Sequence, residues 1–162
     1  LVPLRITDFY LFDHAGYPPR FVTFLNGTTG SLKTSLAHCL FRPFGKHSST
    51  LEASFRDTPA ALEAKIRSAH GQVLLIDDFQ PAVTAAAGRG NLEKLEFVLR
   101  LFGDGIGKDR SNPELTLGMR YAPSGCCLIT GEDTGGSHSS LLRCLIVSIS
   151  KGDIDGPKLK VF

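Results

Sequence analysis

The chain has 162 residues, 42% of them hydrophobic and 21% charged, which fits one globular domain with an ordinary apolar core. Eighteen Lys and Arg against sixteen Asp and Glu leave a formal charge of +2, too balanced for nucleic-acid binding by bulk electrostatics, so any DNA contact has to be local. No apolar run approaches the roughly 20 residues that span a bilayer and no basic-then-apolar signal sequence is present, so no membrane partner is expected.

The four cysteines (Cys39, Cys126, Cys127 and Cys144) lie in apolar runs without C-x-x-C spacing, the pattern of buried reduced thiols in a cytoplasmic protein. Five histidines show no ligand spacing. The chain opens on Leu1 rather than a methionine and both ends look cut, so a fragment of a longer protein is expected. It divides into a helical lead-in (1–20), a core (21–150) and a tail (151–162).

In the lead-in, Thr7 and Asp8 are cap candidates for a short helix carrying Phe9, Leu11 and Phe12, with Gly16 as its stop. Tyr17 to Arg20, with its two prolines, is a rigid connector. Phe21 to Leu25 is an apolar, β-prone run, followed by Asn26 and then by Gly27, Thr28, Thr29, Gly30, Ser31, Leu32, Lys33, Thr34 and Ser35. This reads as strand, phosphate loop, helix. A phosphate needs convergent backbone N–H groups, the positive end of a helix and a lysine, and the glycines supply the turns. Lys33 can reach β- and γ-phosphates, and Thr34 or Ser35 can offer a hydroxyl to Mg2+. The Walker A pattern G-x-x-x-x-G-K-[ST] departs at one position, where Leu32 stands for its second glycine. The helix runs over Thr34 to Phe41 with Leu36, Leu40 and Phe41 on one face, and Pro43 and Gly45 end it.

Ser49 to Phe55 alternates weakly, as a strand does. Thr58 and Pro59 are cap and first turn of a helix to about Ala69, burying Leu62 and Ile66. Val73 to Phe79 is an apolar strand ending in Asp77 and Asp78, a Walker B layout. A strand buried on both faces carries acids only where it emerges at its carboxyl end, where ligands bind in parallel sheets. Asp77 would hold Mg2+ through water, and Asp78 would orient and deprotonate an attacking water.

Gln80 to Gly90 reads as a mobile small-residue loop, after which Asn91 caps a helix with the stripe Leu92, Leu95, Leu99 and Phe102, ended by Gly103. Gly103 to Arg110 follows. There Lys108 and Arg110 fit either a contact to DNA, nucleotide or a neighbouring subunit, or a solvated turn paired to Asp104 or Asp109. Leu115 to Tyr121 is an extended strand leading to a central strand, Cys126 to Thr130. Thr130 and Glu132, at its polar end, are either sensors of a γ-phosphate and lytic water or a capped turn. Ser137 to Arg143 is a polar connection into a final buried strand, Cys144 to Ile149. Arg143, just before it, is either an arginine finger toward an adjoining copy's nucleotide or an ordinary surface ion-pair residue.

The ordered set Gly27 to Ser35, Thr58 to Glu63, Leu75 to Phe79, Gly103 to Arg110 and Thr130 to Glu132 resembles the ATPase domain of helicase-like replication proteins of bacterial phages and mobile elements. These belong to the additional-strand P-loop ATPases, near AAA+ and superfamily-three helicases, and the resemblance covers about Phe12 to Ile149. It implies an α/β three-layer sandwich with a mainly parallel five-stranded sheet, ATP with Mg2+, a homo-oligomeric ring, and movement along DNA. No helical lid is expected after the last strand, which departs from the family. Three functions fit: a DNA-dependent ATPase motor, a nucleotide-dependent switch or assembly module with little turnover, and, least well, a small-molecule kinase.

Overall fold

A computed structural model describes residues 20–41, 52–69, 72–80, 85–105, 123 and 125–159. The strands are β1 (Val22–Asn26), β2 (Glu52–Ser54), β3 (Gln72–Phe79), β4 (Gly125–Gly131) and β5 (Cys144–Ser148). The helices are α1 (Lys33–Phe41), α2 (Pro59–Ser68), α3 (Ala85–Asp104), α4 (His138–Leu141) and α5 (Gly156–Leu159). All strand pairs are parallel, in the order β2-β3-β4-β1-β5. This is the expected α/β class, with β4 inserted between the strand that precedes loop 27–35 and the strand that ends in aspartates.

Successive residues of a strand face opposite sides, and here both sides are apolar because both are covered. Phe24, Leu74, Ile76 and Ile129 pack with Leu62 and Ile66 of α2 and Leu95, Val98 and Leu99 of α3. Their neighbours Leu25, Leu75 and Leu128 pack on the other side with Ala37 of α1, Ile149 and Ile154. Phe79 anchors the first layer, its ring 4.9 Å from Phe55 and 6.0 Å from Phe24, edge-on to both.

Helix α2 starts as its sequence directs: Thr58 accepts from the Ala61 N–H at 3.2 Å and Pro59 occupies the first turn. Helix α3 corrects two expectations. It begins at Ala85, six residues before Asn91, and it runs through Gly103 to Asp104. Packing of Leu95, Val98, Leu99 and Phe102 outweighs the low helix propensity of glycine at this helix's two ends. Asn91 does not cap; its amide donates to the Gln80 carbonyl at 3.2 Å. The helix ends at Gly105, whose φ of +64° suits glycine and whose missing side chain makes room for the Arg20 guanidinium.

The connection before β5 contains the short helix α4, capped by Ser137. β5 itself is not buried as expected. It is an edge strand, with Leu145 53%, Ile146 40% and Val147 38% exposed. Among the described residues no helix is long and apolar enough to cross a membrane. The expected helix at 1–16, the strand at 115–121, and Lys108 and Arg110 lie outside the described residues.

Candidate functional site

β1 delivers the chain to the glycine-bearing loop 27–35 at the carboxyl end of the sheet. Gly27 N–H donates to Gly131 O at 3.1 Å, tying the loop's first residue to the end of β4. A side chain on Gly27 would strike the Ile149 carbonyl, so only glycine lets these backbones cross. Ser31 is buried beneath the loop at 2% exposure, and Thr28, Thr29 and Gly30 form its exposed crest, Gly30 with φ +83°. The Lys33 ammonium donates to the carbonyls of Gly27 at 2.5 Å and Thr28 at 3.0 Å, so the loop closes around its lysine.

Leu32 has φ +64°, the left-handed conformation that glycine takes without cost. The chain therefore keeps a glycine-like turn before Lys33 with a leucine in it. Its carbonyl accepts the Leu36 N–H at 2.9 Å, the first bond of the helix. Its side chain is 38% exposed and lies over Gly156, so the turn gains little burial in return.

A bulge shapes the end of β3. Ile76 pairs with Ile129 and Phe79 with Gly131, so Asp77 and Asp78 together stand opposite Thr130. Asp78 absorbs the irregularity with φ +64°. Thr130, 1% exposed, fills the gap: its hydroxyl donates to Asp77 Oδ1 and accepts the Asp78 N–H at 3.2 Å. In a regular strand these two acids would face opposite layers. The bulge turns both toward one cavity.

That cavity, of about 300 Å³, is lined from the loop by Thr29, Gly30, Leu32, Lys33, Thr34 and Ser35. The sheet side contributes Asp77, Asp78, Gln80, Thr130, Gly131 and Glu132. Thr34, at the start of α1, donates its hydroxyl to Asp77 Oδ1 at 3.1 Å. Thr29 donates to Glu132 Oε1, so the loop crest and the end of β4 touch across the cavity mouth. The structure thus brings Gly30, Leu32, Lys33, Thr34, Asp77, Asp78, Thr130 and Glu132 together.

Two contributors were not foreseen from sequence. Arg56 Nη2 sits 2.8 Å from Asp78 Oδ2, and Gln80 Nε2 donates to Asp78 Oδ1 at 2.9 Å. Arg56 is presented by a built turn: Phe55 is buried, Ser54 Oγ accepts the Arg56 N–H, and Asp57 accepts both Ser54 N–H at 2.9 Å and Lys65 at 2.8 Å. Burial pushes the Asp57 carboxyl up, but hydrogen bonds from Lys65 and Ser54 and the charges of Lys65 and Lys94 outweigh it and hold the group below its ordinary 3.8. A lone arginine on a short turn has no sequence signature that marks this role.

Arg143 lies elsewhere. Its carbonyl accepts the N–H of Val22, the first residue of β1, which places it at the amino end of the sheet, roughly 15 Å of strand away from loop 27–35. Its guanidinium is held within the chain by Asp104 at 2.8 Å and Ser139 O at 2.7 Å, with its stem over Gly103.

The oxygen donors fit magnesium, which takes few carboxylates and keeps water and phosphate as its other ligands. Asp77 and the Thr34 hydroxyl are the pair that would hold it. Among the described residues no three His, Cys, Asp or Glu side chains gather as a metal site. The cysteines are free thiols. Burial pushes Cys144 up to about 11 and Cys127 well above its ordinary value, so both stay protonated at neutral pH.

No protein-family model matches the chain, and neither does any curated protein sequence. Solved structures do match. The JCV helicase superimposes with a TM-score of 0.56 at 17% identity, over 94% of this chain and 42% of the helicase chain. JCV helicase bound to a thiazolopyridinyl-phenoxyphenyl acetamide gives 0.53 at 16% identity, over the same 94% and 42%. The chain therefore spans under half the length of these solved chains. What is shared at this identity is the fold, an arrangement of helices around a parallel sheet.

Proposed function

We propose that the chain is the ATP-binding and ATP-hydrolysing motor module of a DNA replication protein of the helicase-like kind carried by bacterial phages and mobile elements, working in the cytoplasm. The observation that carries this reading is the convergence of Lys33, Thr34 and Asp77 on one cavity. That the solved chains of like fold are helicases supports it.

In this reading the loop N–H groups and Lys33 bind the β- and γ-phosphates. Magnesium, when bound, would neutralise charge on the phosphate oxygens. Thr34 and Asp77 hold their oxygens toward that position, and Thr130 fixes the Asp77 carboxylate by its hydroxyl. Asp78 orients the attacking water and takes its proton as the γ-phosphorus–oxygen bond to ADP breaks. Glu132 stands beside the loop crest, where it senses the γ-phosphate through Thr29. Copies assemble as a ring in which Arg143 serves an adjoining nucleotide, and Lys108 and Arg110 meet DNA or the next subunit.

Full-length protein is then expected to release phosphate from ATP, faster with DNA, and Lys33→Ala is expected to abolish the release. Unchanged turnover in that variant would remove the phosphate-loop assignment. A second reading, a nucleotide-dependent switch, is favoured by one observation: both Asp78 oxygens already accept hydrogen bonds, from Arg56 and Gln80. It predicts saturable ATP binding with negligible phosphate release even when DNA is present.

A further inference from the structure

The segment after β5 turns back along the phosphate loop. Ile149 N–H donates to Asn26 O at 2.7 Å and its carbonyl abuts Gly27. Ile154 is packed into the core layer shared with α1, Gly156 lies under Leu32, and Leu159 O accepts from Cys39. Between these anchors is a tight turn. Asp153 N–H donates to Ser150 O at 3.2 Å, the Asp153 carboxylate accepts Ser150 N–H at 2.7 Å, and Gly152 takes φ +97°. At its tip is Lys151, whose Cε lies 3.7 Å from where a side chain on Gly30 would begin.

Two features make this lysine unusual. The acids of its own segment are occupied: Asp153 closes the turn, and Asp155 pairs with Lys158 at 3.1 Å. Among the described residues, the Lys151 ammonium has no hydrogen-bond or ion-pair partner. An exposed cation is therefore carried by an anchored turn to the crest of the loop, beside Gly30, which lines the cavity. Lys33 is the loop's own cation, and a triphosphate carries several negative charges for it to balance.

We propose that Lys151 is a second cation for the phosphate chain of the nucleotide held by residues 27–35, binding it from the outer side of the loop while Lys33 binds from within. The inference rests on the ATP-binding reading. The lysine is a point charge on a flexible stem, so it recognises phosphate oxygen without fixing its orientation. It contributes to binding of triphosphate and diphosphate and not to that of the nucleoside.

The test is equilibrium binding of ribose-labelled fluorescent ATP, ADP and adenosine to the full-length protein, its Lys151→Ala and Lys151→Arg variants, and Lys33→Ala, over a range of salt. Lys151→Ala is expected to weaken ATP about tenfold, as loss of one charge-assisted contact does. It should also flatten the salt dependence and leave adenosine unchanged, with Lys151→Arg retaining most of the affinity. Wild-type ATP affinity and salt slope in Lys151→Ala, with Lys33→Ala defective, would overturn the role of Lys151 and leave the nucleotide site standing. No ATP binding by the wild type would overturn both. Matching melting temperatures of Lys151→Ala and wild type guard against a folding artefact; Lys151 is exposed and bonds to no described residue.

Discussion

Thr34 and Asp77, 43 positions apart in the chain, meet through a 3.1 Å hydrogen bond that joins the first turn of α1 to the end of β3. Both residues line the cavity, so together they form one oxygen-rich corner. Replacing Asp77 by Ala removes the corner's charge and leaves the Thr34 and Thr130 hydroxyls without their acceptor. If the proposed ATPase function holds, turnover should fall about 100-fold, the scale of losing one metal-orienting carboxylate. A magnesium titration of phosphate release checks it, and the titration midpoint should move to higher concentration.

Leu32→Gly relaxes the left-handed turn before Lys33. The leucine strain is about 1 kcal/mol and its exposed side chain returns little packing, whereas glycine adopts this φ freely. The larger unfolded-state entropy of glycine offsets part of the gain. A net increase of about a few tenths of a kcal/mol is expected in urea unfolding. A loss of stability would mean that the contact with Gly156 outweighs the strain.

Asp57 makes stability depend on acid. Its folded pKa lies below the ordinary 3.8, so the unfolded chain takes up its proton first as pH falls. The stabilisation is full above that ordinary value and is lost as pH drops through the depressed one. Urea unfolding between pH 7 and pH 2.5 should show an acid limb that Asp57→Asn flattens, at a cost near neutrality of about 1 kcal/mol.

Arg143 carries two expectations that separate cleanly. Its pairing with Asp104 and its stem over Gly103 predict that Arg143→Ala loses about 1 kcal/mol of stability. Service to an adjoining nucleotide predicts more. Mixtures of Arg143→Ala with Asp78→Asn subunits should then turn over ATP faster than either variant alone, and an absence of rescue would confine the residue to its own chain.

The readable parts of this protein are those where backbone geometry forces composition. A loop that wraps phosphate needs glycines and a lysine in order, and a strand buried on both faces admits acids only at its end. Gly27 to Thr34 and Asp77 to Asp78 stand out for those reasons, and the structure places them at one end of the sheet. The start of α3 was hidden because glycines at 88 and 90 look like loop, while the packing of Leu95 and Leu99 that holds the helix is tertiary. The exposure of β5 was hidden too. Leu145, Ile146 and Val147 have the composition of a central strand, and position at the sheet's edge is a property of topology. Arg56 meets Asp78, and Lys151 lies beside Gly30, from turns whose direction no local pattern records.

The irregularity opposite Thr130 has a bearing on how the chain tolerates changes in length. Phe79 lies in the same layer as Ile76 because Asp78 is one link too many for the pleat. Excising Asp78 would restore an even alternation in which Phe79 still meets Phe24 and Phe55. The acid is thus an addition to a strand whose apolar layer packs without it, and its loss by deletion is expected to spare the architecture.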